Sequence, residues 1–300
     1  MILEYVAKKE DCNIKLKYIL KNKLYISNIL LNKLKNNHSI LVNNEEKFVN
    51  YIIKENDFIK IELPNSTSKF SDKFKIINKE INILYEDDYL LIVNKPPYTP
   101  IHPSADNYEN TLSNYVAYYL ENKGINGIHI LTRLDKNTSG ICIFTKNEYI
   151  QELFIRKKDK INLSKEYIAI VNNIINKKHD IIEKPIARKQ NTIILREVNE
   201  NGDYAKTEYF TLQTNTIKNY SVLKIILHTG RTHQIRVHMS YIGHTLLGDD
   251  LYANENEKSI IQKYISRQAL HCHKITFFHP ITNKYIEITS DIPDDMKKIY

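Results

Sequence analysis

Apolar runs of strand length recur through residues 80–290 of this chain, and they do not alternate strictly with helices. ILYEDDYLLIVNKPP predicts a hairpin. Ile83, Leu84 and Tyr85 form one strand, Leu90 to Val93 the other, Glu86 to Asp88 the turn, and Pro96 and Pro97 end it. ICIFTK (141–146), YIAIV (167–171), TEYFTL (207–212), SVLKIILH (221–228), ITFF and YIEIT add further strands. Between them, helices are predicted over 110–121, from Asn147 to about Arg156, and in TGRTHQIRVHMSYIG. In that last segment Ile235, Met239 and Ile242 share one helical face, with Thr232 as N-cap and Gly243 as C-cap. A doubly wound parallel sheet needs a helix after nearly every strand, so the pattern predicts an α+β fold. No internal repeat is present.

A polar stretch, PNSTSKFSDKFK (Pro64 to Lys75), separates this region from a shorter N-terminal one. Clustered Pro, Ser, Thr and Asn without apolar periodicity mark a linker, taken as 65–78. Ahead of it, Leu16, Ile19 and Leu20, then Ile26, Ile29, Leu30 and Leu34, recur at helical spacing. Two short helices joined near Leu24 to Ser27 follow from that. SILVNN and DFIKIEL then read as strands. The expected organisation is a unit over 1–64, the linker over 65–78 and a larger domain over 79–300.

The chain carries 43 Lys and Arg against 35 Asp and Glu, a formal net charge of +8. Such a field favours polyanions, although many lysine-rich surfaces bind nothing. The cysteines Cys12, Cys142 and Cys272 form no CxxC pair, which points away from a disulfide framework and towards a reducing compartment. No signal peptide is visible in MILEYVAKKEDC, and no apolar run approaches the ~20 residues of a membrane span. The expectation is a cytoplasmic protein.

Three segments can carry chemistry. RLDKNTSGICIFTK (133–146) places Asp135 on a loop of turn-forming residues just before an apolar strand. The carboxylate either caps that turn or stands over the sheet end as a reactive group, with Arg133 nearby to pair with phosphate or carboxylate. TGRTHQIRVHMSYIGHTLLGDDLY (229–252) brings Arg231, His233, Arg236 and His238 to a turn and the helix after it. Two guanidiniums so close suit planar, bidentate recognition, or merely decorate a surface helix. SKEYIAIV (164–171) begins a strand with Tyr167, which can stack on a base or fill the core.

These segments, with ILYEDDYLLIVNKPP before them and RQALHCHKITFFHP after, stand in the order and approximate spacing of the RluA-type pseudouridine synthases. The resemblance covers about residues 80 to 292, and it departs at Thr132, where the family usually has His or Asn. It implies a catalytic domain with a mixed, mainly antiparallel sheet. It also implies an isomerase that turns uridine into pseudouridine in RNA, with large-subunit rRNA (the RluD-like branch) as substrate. Asp135 aligns with the catalytic aspartate, Tyr167 with the tyrosine against the target base, and Arg236 with the arginine paired to the carboxylate. Arg133 looks like the arginine that enters the space left by the flipped nucleotide. Lys95, in NKP, is similar to a family lysine near the site. Arg231 and His233 join Arg133 and Lys95 as candidate RNA contacts. Residues 1–64 resemble the alpha-L RNA-binding domain, although Asn28 stands where arginine normally follows Ser27 and the glycine before ILVN is missing.

The reaction these residues imply needs no cofactor and no metal, since it involves no net redox change and no group from outside. RNA is the expected partner, with no DNA and no membrane, and a monomer is expected. Modification of tRNA and a noncatalytic role in RNA binding or ribosome assembly are the alternatives, and the latter would not need Asp135. A metal-dependent hydrolase is a further one, because His271 and His273 share a strand face, but no HExxH or paired carboxylate set accompanies them.

Overall fold

The computed structural model describes residues 1–64, 74–103 and 108–300. Most of the predicted linker, residues 65–73, lies outside them. The N-terminal unit starts with β1 (Ile2–Val6). Next come α1 (Leu16–Tyr18), widened into a further turn over Ile19–Lys23, and α2 (Asn28–Asn36). Strands β2 (Ile40–Val42), β3 (Glu45–Glu46) and β4 (Phe58–Glu62) complete it in the antiparallel order β1-β4-β2-β3. Leu16, Ile19, Leu20, Ile26, Leu30 and Leu34 are all buried, so the helical spacing marks the real core face, while Ile29 points outward. Ser27 caps α2 by accepting from the Leu30 N–H at 3.1 Å. The sequence pattern did not indicate β1, an edge strand that alternates between exposed and only half-buried residues.

The larger domain is one twisted sheet with helices packed on it. Its first elements are β5 (Asn82–Glu86), β6 (Leu90–Lys95), α3 (Leu112–Glu121), β7 (His129–Ile130), β8 (Ser139–Thr145), α4 (Glu148–Arg156) and α5 (Lys158–Ile161). Then come β9 (Ser164–Asn172), β10 (His179–Glu183), a small hairpin of β11 (Ile186–Arg188) and β12 (Arg196–Val198), β13 (Lys206–Asn215) and β14 (Tyr220–Leu227). The chain closes with α6 (Gln234–Tyr241), α7 (Glu255–Ile261), β15 (Leu270–Phe278), β16 (Tyr285–Thr289) and α8 (Asp294–Lys297).

The strand order is β10-β13-β14-β9-β15-β8-β6-β5, with β16 on β15 and β7 on β8. Every pairing in it is antiparallel except β15 with β8. The expected α+β class with a mixed, mainly antiparallel sheet is therefore what forms. The parallel pair lies at the centre, where β8 leaves the 133–138 loop and β15 runs beside it.

The start of α6 departs from the sequence reading. His233, not Thr232, is the N-cap, in a left-handed conformation (φ 58°) and with no capping side-chain bond. The Gln234 side chain folds back instead, accepting from the Arg231 N–H at 3.0 Å and from Thr229 Oγ1 at 2.8 Å. That bend turns the His233 and Arg236 side chains towards the 133–138 loop. At the far end Gly243 (φ 80°) lies one residue past the cap, Ile242, in the position where a left-handed residue stops a helix.

The N-terminal unit docks on α4 and α5. Lys33 pairs with Glu148 at 2.6 Å, and Lys157 Nζ lies 4.7 Å from the Tyr25 ring centroid.

Gly140 lies in the parallel pair, opposite Cys272, with φ 111°. A Cβ there would stand 2.3 Å from the Cys272 carbonyl oxygen. Gly140→Ala is expected to cost about 3 kcal/mol or more, from backbone strain plus forced separation of the strands. A urea unfolding curve with an unchanged midpoint would contradict that reading of the pair.

Candidate active site

Residues 135–138 form a tight turn, closed by the Thr138 N–H to Asp135 carbonyl bond at 3.1 Å. Groups remote in sequence hold it. Lys95, fully buried, donates to the carbonyls of Lys136, Pro96 and Thr99, each at 2.9 Å. Arg267, equally buried, donates through Nη1 to the carbonyls of Asn137, Gln268 and Leu270 and forms a two-pronged pair with Asp295. Gln268 Nε2 donates to Thr138 Oγ1 at 3.2 Å, and Ser139 Oγ meets His271 Nδ1 at 3.0 Å. Just upstream, Thr132 Oγ1 accepts the Ile143 N–H at 2.9 Å, so the residue in which the chain departs from the family pattern tacks the loop to β8.

The Asp135 carboxylate, 29% exposed, stands on the wall of a cavity of about 570 Å³. Arg236 Nη1 lies 3.4 Å from its Oδ2. The other donors of that guanidinium are committed: Nε and Nη2 each meet one oxygen of the buried Asp249 at 2.7 Å. Asp249 is itself fixed by the Leu251 and Tyr252 N–H groups at 3.1 and 3.3 Å, and the Tyr252 ring lies 5.1 Å beneath the guanidinium. Burial opposes the charge of Arg236, but the Asp249 carboxylate outweighs it and the Arg236 pKa moves up.

His233 Nε2 approaches the same Asp135 oxygen at 3.8 Å, while its Nδ1 meets the Tyr252 hydroxyl at 2.8 Å. That hydroxyl accepts the Arg196 N–H at 3.1 Å and so has its proton free for Nδ1. Burial lowers the His233 pKa, which favours the neutral ring. Tyr167 lines the cavity from β9 with its hydroxyl bonded to the Cys272 thiol, and burial drives its pKa well above the ordinary phenol value.

The structure thus brings Asp135, Tyr167, Arg236 and His233 to one cavity. Arg133, on the same wall, is exposed and has no hydrogen bond or ion pair to another described residue. Arg231 lines it too but is anchored, donating to the Tyr204 carbonyl at 3.0 Å and facing Asp203 at 3.6 Å. Lys95 was expected to contact RNA, and the structure does not bring it to the cavity: all three of its protons go to carbonyls beneath the turn. Burial pushes its pKa down to about 8.

His271 and His273 share the Ser290 carbonyl, at 3.4 and 2.6 Å. Among the described residues no cluster of His, Cys, Asp and Glu is arranged to hold a metal ion. No helix among them is long and apolar enough to cross a membrane.

Sequence reasoning missed Asp249, Tyr252, Arg267, Gln268 and Lys165. The first four sit in GDDLY and RQALHC, segments whose pattern was noticed but whose side chains had no assigned partner. Lys165 lies two residues before Tyr167 and so on the same face of β9, and it lines the cavity.

Lys95→Met would take the donor from the part-buried Pro96, Thr99 and Lys136 carbonyls and put an apolar end in its place. The expected loss is about 2–4 kcal/mol, read as a lower urea midpoint with unchanged slope. Unaltered stability would mean that the turn does not depend on this ammonium.

Comparison with known proteins adds a family. The RNA pseudouridylate synthase family model matches residues 89–241. Over 94% of this chain and 90% of its own length, an uncharacterized RNA pseudouridine synthase of Bacillus subtilis (strain 168), YhcT, is 33% identical. Ribosomal large subunit pseudouridine synthase D of Haemophilus influenzae is 34% identical over 76% of this chain and 72% of its own. In fold, human RNA Pseudouridylate Synthase Domain Containing 1 superimposes with a TM-score of 0.58 at 23% identity, covering 71% of this chain and 83% of that one.

Proposed function

The chain belongs to the RNA pseudouridylate synthase family, isomerases of uridine in RNA, and from that premise we propose that it acts on large-subunit ribosomal RNA with Asp135 as nucleophile. One observation carries the assignment of the nucleophile. Asp135 is the only carboxylate on the cavity wall among the described residues, and a guanidinium with its other donors fixed elsewhere faces it.

The chemistry follows from that arrangement. Conversion of uridine to pseudouridine breaks the bond from C1′ to N1, turns the ring and joins C1′ to C5. A carboxylate that bonds transiently to the substrate divides this into two easier steps. It must be ionised to do so, and Arg236 sets a positive charge and a weak hydrogen bond against it. The pair on Asp249 prevents Arg236 from closing both prongs on Asp135, so one carboxylate oxygen stays free to react. Tyr167 offers a ring face for the uracil, and the nucleotide must leave its stack to reach it. Arg133, on the cavity wall and without a partner among the described residues, suits the space that the extruded nucleotide leaves.

The large-subunit substrate is supported by the relatives that carry that name and resemble this chain over most of its length. We assign residues 1–64 as an alpha-L type RNA-binding unit that tethers a cytoplasmic, monomeric enzyme to its RNA. Its two helices, Ser27 cap and small sheet support that assignment.

The test is pseudouridine mapping of rRNA and tRNA from cells lacking the gene, complemented with wild type or Asp135→Asn. One or a few large-subunit uridines should lose modification and regain it with wild type alone, the variant being slower by about 10⁴-fold or more. Sites confined to tRNA would move the substrate. Rescue by Asp135→Asn would remove Asp135 from the chemistry. Deletion of 1–64 is expected to weaken binding to structured rRNA by about tenfold or more while sparing short fragments; equal affinity would end the tether assignment.

A further inference from the structure

We propose that the Lys165 ammonium binds the carbonyl edge of the extruded uracil and stabilises the negative charge the ring acquires during isomerisation. The inference rests on the uridine-isomerase reading of the same cavity and adds to it a group that touches the base.

Lys165 projects from β9 on the same face as Tyr167 and lines the cavity. Its Nζ sits against the turn before α6, 3.6 Å from where a Cβ on Gly230 would be. It makes no hydrogen bond or ion pair with another described residue. This half-buried ammonium differs from the buried cations of the site, since Lys95, Arg236 and Arg267 all have partners in the fold. Burial lowers its pKa, the sign of a charge removed from water without compensation.

The titratable groups packed around it do not neutralise it. Cys142 on β8 and Cys272 on β15 are buried thiols, with pKa values pushed up, to about 12 for Cys272. Tyr167 on β9 is likewise held as the neutral phenol. Arg231 and His233, on the turn and at the start of α6, bring no negative charge. Asp135 lines the same cavity but forms no ion pair with Lys165, so among the described residues none supplies its ammonium with an anion, and in this proposal that acceptor comes with the ligand.

The reaction supplies one. If Asp135 bonds to C1′, the C1′–N1 electron pair leaves with the ring as an anion spread over O2 and O4. If Asp135 bonds instead to C6, the C5–C6 pair moves through C4 onto O4. In either route an ammonium at the carbonyl edge gains interaction as charge develops, which is what lowers a barrier. As C5 joins C1′ and the product forms, the bond to Asp135 (at C1′ or at C6) breaks with its electron pair returning to the carboxylate, the C5 proton is lost, N1 gains one, and the charge on the ring disappears. Lys165 also discriminates: O4 of uracil accepts its proton, whereas cytosine presents an amino group there. A site built to hydrogen-bond one edge rejects the other strongly.

The test uses full-length enzyme and a transcript bearing the mapped uridine, in single-turnover reactions. Lys165→Met should lower the rate by about 100-fold while changing RNA affinity by less than about 3-fold, and Lys165→Arg should recover most of the loss. Wild type should lose activity as pH rises through the lowered lysine pKa, and Lys165→Arg should shift that alkaline limb upward. Replacing the target by 4-thiouridine weakens the acceptor at position 4. It should slow wild type by about tenfold and leave Lys165→Met nearly unaffected. An equal penalty in both enzymes, or a Met variant within about 3-fold of wild type, overturns the proposal. Should Lys165→Met fail to fold, a wild type indifferent to 4-thiouridine overturns it alone. A wild type that converts no uridine in any RNA would instead defeat the underlying functional reading.

Discussion

The site depends on how the main chain of the 135–138 turn is held from below. Two buried cations carry that task, Lys95 through the Lys136 carbonyl and Arg267 through the Asn137 carbonyl. Burying cations in this way is a poor route to stability, because loss of hydration offsets most of the attraction. What it provides is geometry. A carbonyl gripped by a rigid, fully buried donor cannot wander, and both donors are anchored again, in the 96–99 segment and at Asp295 near the chain end. Because the grips fall on backbone oxygens, the Asp135 side chain is left out of them and faces the cavity. The parallel pairing of β8 with β15 brings the Arg267–His271 segment under the turn at all, and Gly140 permits that approach.

Arg236 extends the same logic to the side chain. A guanidinium facing one carboxylate alone would tend to close on it with both prongs. Asp249 takes that arrangement, leaving Asp135 the longer contact from Nη1. Asp135 therefore has a nearby positive charge without being fully consumed by it. His233 adds a second, neutral neighbour whose orientation is set by Tyr252, a residue that also underlies Arg236. Substitution at Tyr252 would disturb both neighbours of the carboxylate together, so effects at Tyr252, His233 and Arg236 should not be additive.

The sequence made the sheet-rich, α+β character and most of the central strands legible, because β6, β8, β9 and β14 are long apolar runs of β-branched residues. It hid the short, exposed or charged elements: β1, β10 and the β11–β12 hairpin lack a period that could be read. The cap of α6 was misplaced because Thr232 has the right chemistry, whereas the bend is made by His233 in a left-handed conformation and by the Gln234 side chain. Within the site, Asp135, Tyr167 and Arg236 were legible from motif resemblance. Lys95 was visible as a residue but not in its role, since an NKP segment does not say whether the ammonium points into a cavity or under a loop. Asp249, Arg267 and Lys165 were opaque for the same reason: their significance lies in partners, or in the lack of them, which only packing across 13 to 130 positions reveals.

The net charge of +8 also takes on a different meaning once the cations are placed. Arg236, Arg267 and Lys95 are buried and balanced by carboxylates or carbonyl dipoles, and Lys165 is half-buried inside the cavity, so they contribute little to the field an approaching polyanion feels. Arg133 and Lys136 are exposed on the cavity wall, where their charge reaches an approaching polyanion. Overall basicity in such a protein thus combines two quantities with different physics. One is a salt-sensitive surface term that governs encounter. The other is a salt-insensitive internal term that fixes a carboxylate and, at Lys165, meets the base. Raising ionic strength should weaken the first without touching the second, which makes salt dependence the natural way to separate RNA capture from the chemistry that follows.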